Sequence, residues 1–299
     1  MTVERFLGGA WFAVHGPADP NRAPAWVLEA GFRGLLVAPG PREVDWVAIR
    51  ERAREANIPL RWPGVRVASQ LADVHALAPM ASPRESEQRE ARASIARAAE
   101  LASRLGTEHL ILEPGLVPVV GETGPEDLGD PTVDWTAERA GPLLARRKVA
   151  LDAALDRVCR FIHDLLRALP DFRLSLTTGR NLRSVADLFG LEAIFEDLGN
   201  PRLGYWHDAS VVARRAQIGQ APQGEWLERN ANRLTGASLA DASSEGIYLP
   251  PGSGGVDWAL LAPYVRSRAR TLPIVLDLDP AVDRREIPGM LSFSSKFGL

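Results

Sequence analysis

Apolar and polar positions follow two periods along this chain, and the two periods take turns. Short β-rich runs are followed by amphipathic runs with apolar residues three or four apart, the pattern of a parallel sheet joined by crossover helices. Strands are predicted over residues 6–14, 34–38, 58–67, 109–113, 172–177, 203–208, 234–240 and 273–277. Helices are predicted over 23–30, 44–56, 84–104, 142–169, 184–198, 211–218 with 225–232, and 257–270, and a last segment, 281–299, closes the chain. The third strand is the least regular, because Pro63 and Gly64 interrupt it. The helix over 142–169 is the best defined. Leu144, Leu151, Leu155, Val158, Ile162, Leu165 and Leu169 form one apolar stripe, Pro142 suits its first turn, and Pro170 stops it. Cys159 and His163 lie beside that stripe, where packing or surface roles are expected.

Eight strands with intervening helices favour a closed (β/α)8 barrel, one domain spanning 1–299. The Gly- and Pro-rich stretch at about 114–141 then becomes a long loop after the fourth strand, on the face where barrels build their sites. It reads as a binding loop or as a tolerated surface insertion.

Strand alternation assigns faces. In 273–279, Ile274, Leu276 and Leu278 suit the helix-covered side, which leaves Val275, Asp277 and Asp279 inside. In 172–177, Arg173, Ser175 and Thr177 are left inside; in 109–113, His109, Ile111 and Glu113 are. In 203–208 neither parity wins, because Gly204, Trp206 and Asp208 alternate with Leu203, Tyr205 and His207. Polar groups thus gather at the ends of strands four, five, six and eight, as a barrel site requires.

Composition narrows the chemistry. Hydrophobic residues make up 45% of the 299 and charged residues 24%, enough for a sizeable core in a water-exposed protein. A net charge of −3 argues against a broad basic surface for nucleic acid. One cysteine excludes an intrachain disulfide, and MTVERFLGG has neither a secretory signal's n-region nor its h-region, so a cytoplasmic location with no membrane partner is expected. Only Lys148, in a helical run, and Lys296, near the end, are lysines, and neither position suits the desolvated amine of Schiff-base catalysis.

Several local pieces, in order, carry a resemblance. They are Val74-His75-Ala76, 98–106 (AAELASRLG) leading into 110–115 (LILEPG), and 204–208 (GYWHD). Leu239-Ala240-Asp241, 249–252 (LPPG) with Val256-Asp257-Trp258, and 274–280 (IVLDLDP) follow. From about Leu71 to Pro280 the chain resembles the xylose-isomerase-like TIM barrels of the sugar phosphate isomerase/epimerase family, which are related to the endonuclease IV nucleases. The resemblance implies a divalent metal held by a Glu, an Asp, a His and a Glu after strands five to eight. Those positions fall on Thr177, Asp208, a position near Ser238, and Asp277, while Val211 stands where the family has a second histidine. Two of the four ligands survive, so the metal site is degenerate. Asp208 and Asp277, helped by Glu113, could hold Mn²⁺ or Mg²⁺ weakly, and a metal-free polar pocket is the preferred reading.

Isomerisation or epimerisation beside a carbonyl needs a base, an acid and stabilisation of the enediolate. The candidates are Asp277 as base, Asp208 or Glu113 as its partner, and His207 as an electrophilic donor. His75, Thr177, Arg180, Trp206, Ser238 and the glycine-rich turn with Gly252 and Gly254 are candidate contacts for a carbohydrate-like ligand. Against this stand blander readings: acids paired with Arg173, Arg180 or Arg183, aromatics filling a core, and a turn that is only a turn. The expectation is a diverged isomerase/epimerase-like protein acting on or binding a small sugar or polyol-like molecule. The alternatives are a non-catalytic metabolite- or partner-binding descendant and a metal-dependent lyase or hydrolase of the same superfamily.

Overall fold

Eight parallel strands curl until the first and last in spatial order meet. The computed structural model describes residues 4–67, 80–121, 126–266 and 272–299. The barrel strands are β1 (Arg5–Gly8), β2 (Leu35–Leu36), β3 (Val65–Val67), β4 (His109–Leu112), β5 (Arg173–Leu176), β6 (Leu203–Asp208), β7 (Leu234–Leu239) and β10 (Ile274–Leu276). Their spatial order is β2-β1-β10-β7-β6-β5-β4-β3. Bridges from Gly34 to Arg61 and from Val37 to Val65 close the gap between β2 and β3. The Arg66 N–H donates to the Val37 carbonyl at 2.8 Å, so Arg66 itself takes part in the closure. The fold is the (β/α)8 TIM barrel that the hydrophobic pattern predicts.

The helices are α1 (Gly9–His15), α2 (Ala23–Glu29), α3 (Trp46–Glu55), α4 (Glu85–Leu105), α5 (Ala137–Ala168), α6 (Leu188–Leu198), α7 (Ala209–Gln217), α8 (Gln223–Asn230), α9 (Trp258–Arg266) and α10 (Ile287–Lys296). A hairpin of β8 (Asp241–Ser243) and β9 (Gly246–Leu249) follows β7 and does not join the barrel. Outward residues such as Leu7, Leu35, Leu110, Leu174 and Tyr205 pack against the helices in the main core. Phe6, Leu36, Ile111, Trp206 and Val275 form a separate apolar layer. Each shares the inward parity of its strand, so this layer fills the barrel interior.

Several elements differ from the sequence expectation, among them the third strand, which shrinks from 58–67 to Val65–Val67, and the helix expected from 184, which begins at Leu188. The run 6–14 is not one strand: β1 ends at Gly8 and α1 begins at Gly9, whose missing side chain leaves room for the Leu36 carbonyl. Trp11 and Phe12 then bury at helical spacing, with Phe12 against Trp26 and Trp46. Helix α5 begins at Ala137, where the Thr136 hydroxyl caps the Arg139 N–H, so Pro142 lies inside the helix and not in its first turn. The β8–β9 hairpin is absent from the sequence reading. Its Ser243-to-Gly246 turn looks there like ordinary loop chemistry.

The stretch between β4 and α5 is anchored at both ends of its described part. Leu116 bridges Ser184 and Asp127 bridges Asn181, while Leu128, Val133 and Trp135 pack with Leu143, Leu182 and Ile218. It therefore folds down onto the segment that follows β5.

Candidate functional site

The C-terminal end of the barrel gathers charge around one arginine. Arg66 points inward from β3 and is 5% exposed. Its Nη1 lies 2.6 Å from Asp277 Oδ2, and its Nη2 donates to Ser238 Oγ at 2.7 Å. Ser238 also accepts from Trp206 Nε1 at 3.0 Å and donates to Asp277 Oδ2 at 3.1 Å. Arg66, Asp277, Ser238 and Trp206 are thus one buried network drawn from four strands. Burial works against the Arg66 charge, but Asp277 foremost, then Tyr248, Asp208 and Glu113, more than offset it and lift the guanidinium above its ordinary value. Gly8 makes the arrangement possible, since a Cβ there would fall 2.5 Å from Asp277 Oδ1.

Asp208 ends β6 and caps α7. Its Oδ1 accepts from Val211 N and Ser210 Oγ, both at 3.1 Å, and its Oδ2 accepts from the Tyr248 hydroxyl at 3.2 Å. Burial pushes this carboxyl up; Arg66 pulls it down, and Asp277 adds to the rise. Tyr248 is held in the left-handed region at φ 60°, a conformation that costs about 1 kcal/mol or more and persists only when its surroundings enforce it. They do so here, with the hydroxyl on Asp208 and the carbonyl accepting from Asp279 N at 2.9 Å. Burial, and after it Asp208, raises the phenol well above its usual value.

A cavity of about 710 Å³ opens over this network. Arg66, Asp277, Asp279, Tyr248 and Arg180 give it polar groups, and Ala10, Ala38 and Pro39 give it an apolar side. Arg180 is itself held by Asp127, through Nε–Oδ1 and Nη2–Oδ2 contacts of 2.6 Å each. Glu113 lies close by: a Cβ on Gly179 would meet its Oε2 at 2.8 Å.

The predicted residues divide accordingly. Asp277, Asp208, Ser238, Arg180, Glu113 and Thr177 all sit at this end of the barrel, the Thr177 hydroxyl buried with no hydrogen-bond partner. Trp206 fills the interior layer and offers no face for stacking on a sugar. His207 takes the outward parity of β6, fully buried, with Nδ1 against the Tyr205 hydroxyl at 2.9 Å; it is turned away from Asp277 and cannot serve as electrophile. Desolvation there lowers its pKa to about 3. The turn with Gly252 and Gly254 points its Gly252 amide inward and not to a ligand. Asp241, fully buried, collects the N–H groups of Ala242, Gly252 and Val256 and the Trp258 indole, and Gly254 packs over the Ala242 carbonyl. His75 lies outside the described residues. The expected arginine pairing is real but differs in partner: Arg180 and Arg183 bind Asp127 and Glu126 of the long loop, and Arg66 binds the strand-end acid.

Sequence reasoning missed Arg66. The signal for Arg66 was its parity with Gly64 in a short Val-Arg-Val run, obscured by Pro63.

The residues do not fit the divalent metal that the resemblance implies. Asp277 is committed to a guanidinium, both Asp208 oxygens are engaged, and the other two positions carry hydroxyls. Among the described residues, no three His, Cys, Asp or Glu side chains are grouped to hold an ion. Among them too, no helix is long and apolar enough to cross a membrane.

No family model matches the chain, and no curated protein matches it in sequence. Solved structures do. A 3-keto-D-glucoside 4-epimerase from E. coli superposes with a TM-score of 0.66 at 12% identity, over 99% of this chain and 100% of its own. An L-ribulose 3-epimerase gives 0.65 at 13%, over 98% and 86%. A family 2 AP endonuclease from Brucella melitensis gives 0.63 at 14%, over 98% and 99%. Identities this low establish architecture and no more: the chain has the (β/α)8 TIM-barrel fold of these sugar epimerases and that nuclease.

Proposed function

We propose that the C-terminal mouth of the barrel takes a small sugar or polyol-like molecule. The observation that carries this reading is the cavity of about 710 Å³ itself, which has the size of a small-ligand site and mixes donors, acceptors and one aromatic ring. A ligand with a hydroxyl on every carbon needs both kinds of partner. Guanidinium groups of Arg66 and Arg180 donate, carboxylates of Asp277 and Asp279 accept, and Tyr248 supplies a ring beside the apolar wall. The likeness to sugar epimerases supports the ligand class. Calorimetric titration with a panel of ketoses, aldoses and polyols tests it. At least one should bind, and Arg180→Ala should weaken it by about tenfold, as the loss of one charged hydrogen bond implies. If no member of the panel binds, the reading is wrong.

One observation favours a second reading, isomerisation or epimerisation beside a carbonyl. A carboxylate and a guanidinium 2.6 Å apart line the same cavity. Asp277 would take the carbon-bound proton while Arg66 holds the developing enediolate oxygen, and the proton would return to carbon to complete the turnover. This predicts solvent deuterium entering a bound ketose. The same rate of exchange in folded Asp277→Asn would remove Asp277 from the chemistry.

A further inference from the structure

We infer that Arg66 is the built-in cation of this barrel mouth, a guanidinium standing where related architecture would place a divalent ion. Three observations converge. The two carboxylates that survive from the implied ligand set, Asp208 and Asp277, both act electrostatically on Arg66, and Glu113 does as well. Arg66 and Asp277 are in direct contact at 2.6 Å, with side chains 4% and 7% exposed, so the space beside Asp277 Oδ2 is filled by Nη1. The positions that have lost their ligands carry groups suited to a guanidinium: Ser238 accepts from Nη2, and Thr177 adds no competing charge.

A buried carboxylate needs compensation, from a positive charge or from converging donors, and at Asp277 Oδ2 the guanidinium occupies that place. A metal ion at Asp277 would have to displace the guanidinium and then lie against it, like charge beside like charge in a low-dielectric interior. The barrel is thereby closed to divalent ions as it stands. It should open to them when the charge on residue 66 is removed, because Asp277 and Asp208 would be left buried without a counter-ion.

The experiment is a titration with Mn²⁺ alone, read by the paramagnetic signal of the free ion and by melting temperature. The wild type, Arg66→Gln and Arg66→Gln/Asp277→Asn are compared. Glutamine keeps a donor toward Ser238 and removes the charge. Under the proposal Arg66→Gln binds Mn²⁺ at least about tenfold more tightly than the wild type and melts higher in its presence, since binding to the native state raises stability. Adding Asp277→Asn abolishes the gain. Equal affinity in the wild type and Arg66→Gln overturns the proposal, as does a gain that survives in the double variant. If Arg66→Gln does not fold alone, Mn²⁺ in the refolding buffer should restore it, and failure to do so also overturns the proposal. No sugar is involved, so this result stands apart from the test of ligand binding.

Discussion

Removing the Asp277 charge while keeping its shape is the most informative single perturbation of the mouth. In Asp277→Asn the Arg66 guanidinium stays buried, keeps its bond to Ser238, and loses the carboxylate at 2.6 Å. Breaking a buried ion pair from one side typically costs about 3–5 kcal/mol. Asp208 and Glu113 still face Arg66, and the asparagine carbonyl can accept from it, so the loss should fall near the lower end, about 3 kcal/mol. Arg66→Met alone strands a buried carboxylate and should cost about as much or slightly more. The double variant removes both charges and should cost only about 2 kcal/mol, recovering roughly 4 kcal/mol relative to the sum of the singles, since such a pair adds little net stability when intact. Urea unfolding followed by circular dichroism measures all four corners of the cycle. Tryptophan fluorescence gives a second probe, because the Trp206 indole donates to Ser238 inside this network. Strict additivity, or single variants within about 0.5 kcal/mol of the wild type, would refute the claim that Arg66 and Asp277 form one electrostatic unit.

Three further outcomes are expected. His207 is neutral in the folded state because burial lowers its pKa to about 3 against an ordinary 6.5, so the unfolded chain takes up a proton that the native one refuses as pH falls below about 6.5. Stability from this source is full above that pH and falls by about 2 kcal/mol by pH 5; in His207→Gln, which keeps a partner for Tyr205, the difference between urea midpoints at pH 7 and 5 should shrink. Gly8→Val pushes a side chain against Asp277, so it should cost about 1–3 kcal/mol and abolish ligand binding; an unchanged urea midpoint with unchanged affinity would contradict that contact. Asp241→Ala strips the acceptor from four donors and should destabilise by about 3 kcal/mol or more, with faster hydrogen exchange at the Gly252 and Val256 amides.

The barrel was legible because each strand repeats the same signal, and an error in one does not upset the sum. Strand 203–208 has the same bounds in sequence and structure, yet its facing was not readable, since all six residues are buried and both parities look alike. The choice is made by its neighbour. Gly236 opposite Trp206 leaves the room that the indole fills, a Cβ there falling 2.2 Å from the ring, and with Trp206 turned inward Asp208 shares its face and His207 takes the other. The candidate site was half legible for a related reason. Acids at strand ends announce themselves by position, whereas Arg66 lies in a three-residue strand whose regularity Pro63 and Gly64 conceal. Tyr248 belongs to a hairpin outside the repeating unit, so barrel periodicity carries no information about it.

The apolar layer of Phe6, Leu36, Ile111, Trp206 and Val275 also stands between two groups of polar side chains, one at each end of the barrel. Below it, the ring of His109 is hydrogen-bonded to Pro63 and Ser175, and desolvation, then Pro63, then Arg173 govern its protonation. None of the charges named around Arg66 is among them. The low-dielectric layer thus divides the barrel's polar groups into a lower set around His109 and an upper set around Arg66, each with its own hydrogen-bond partners.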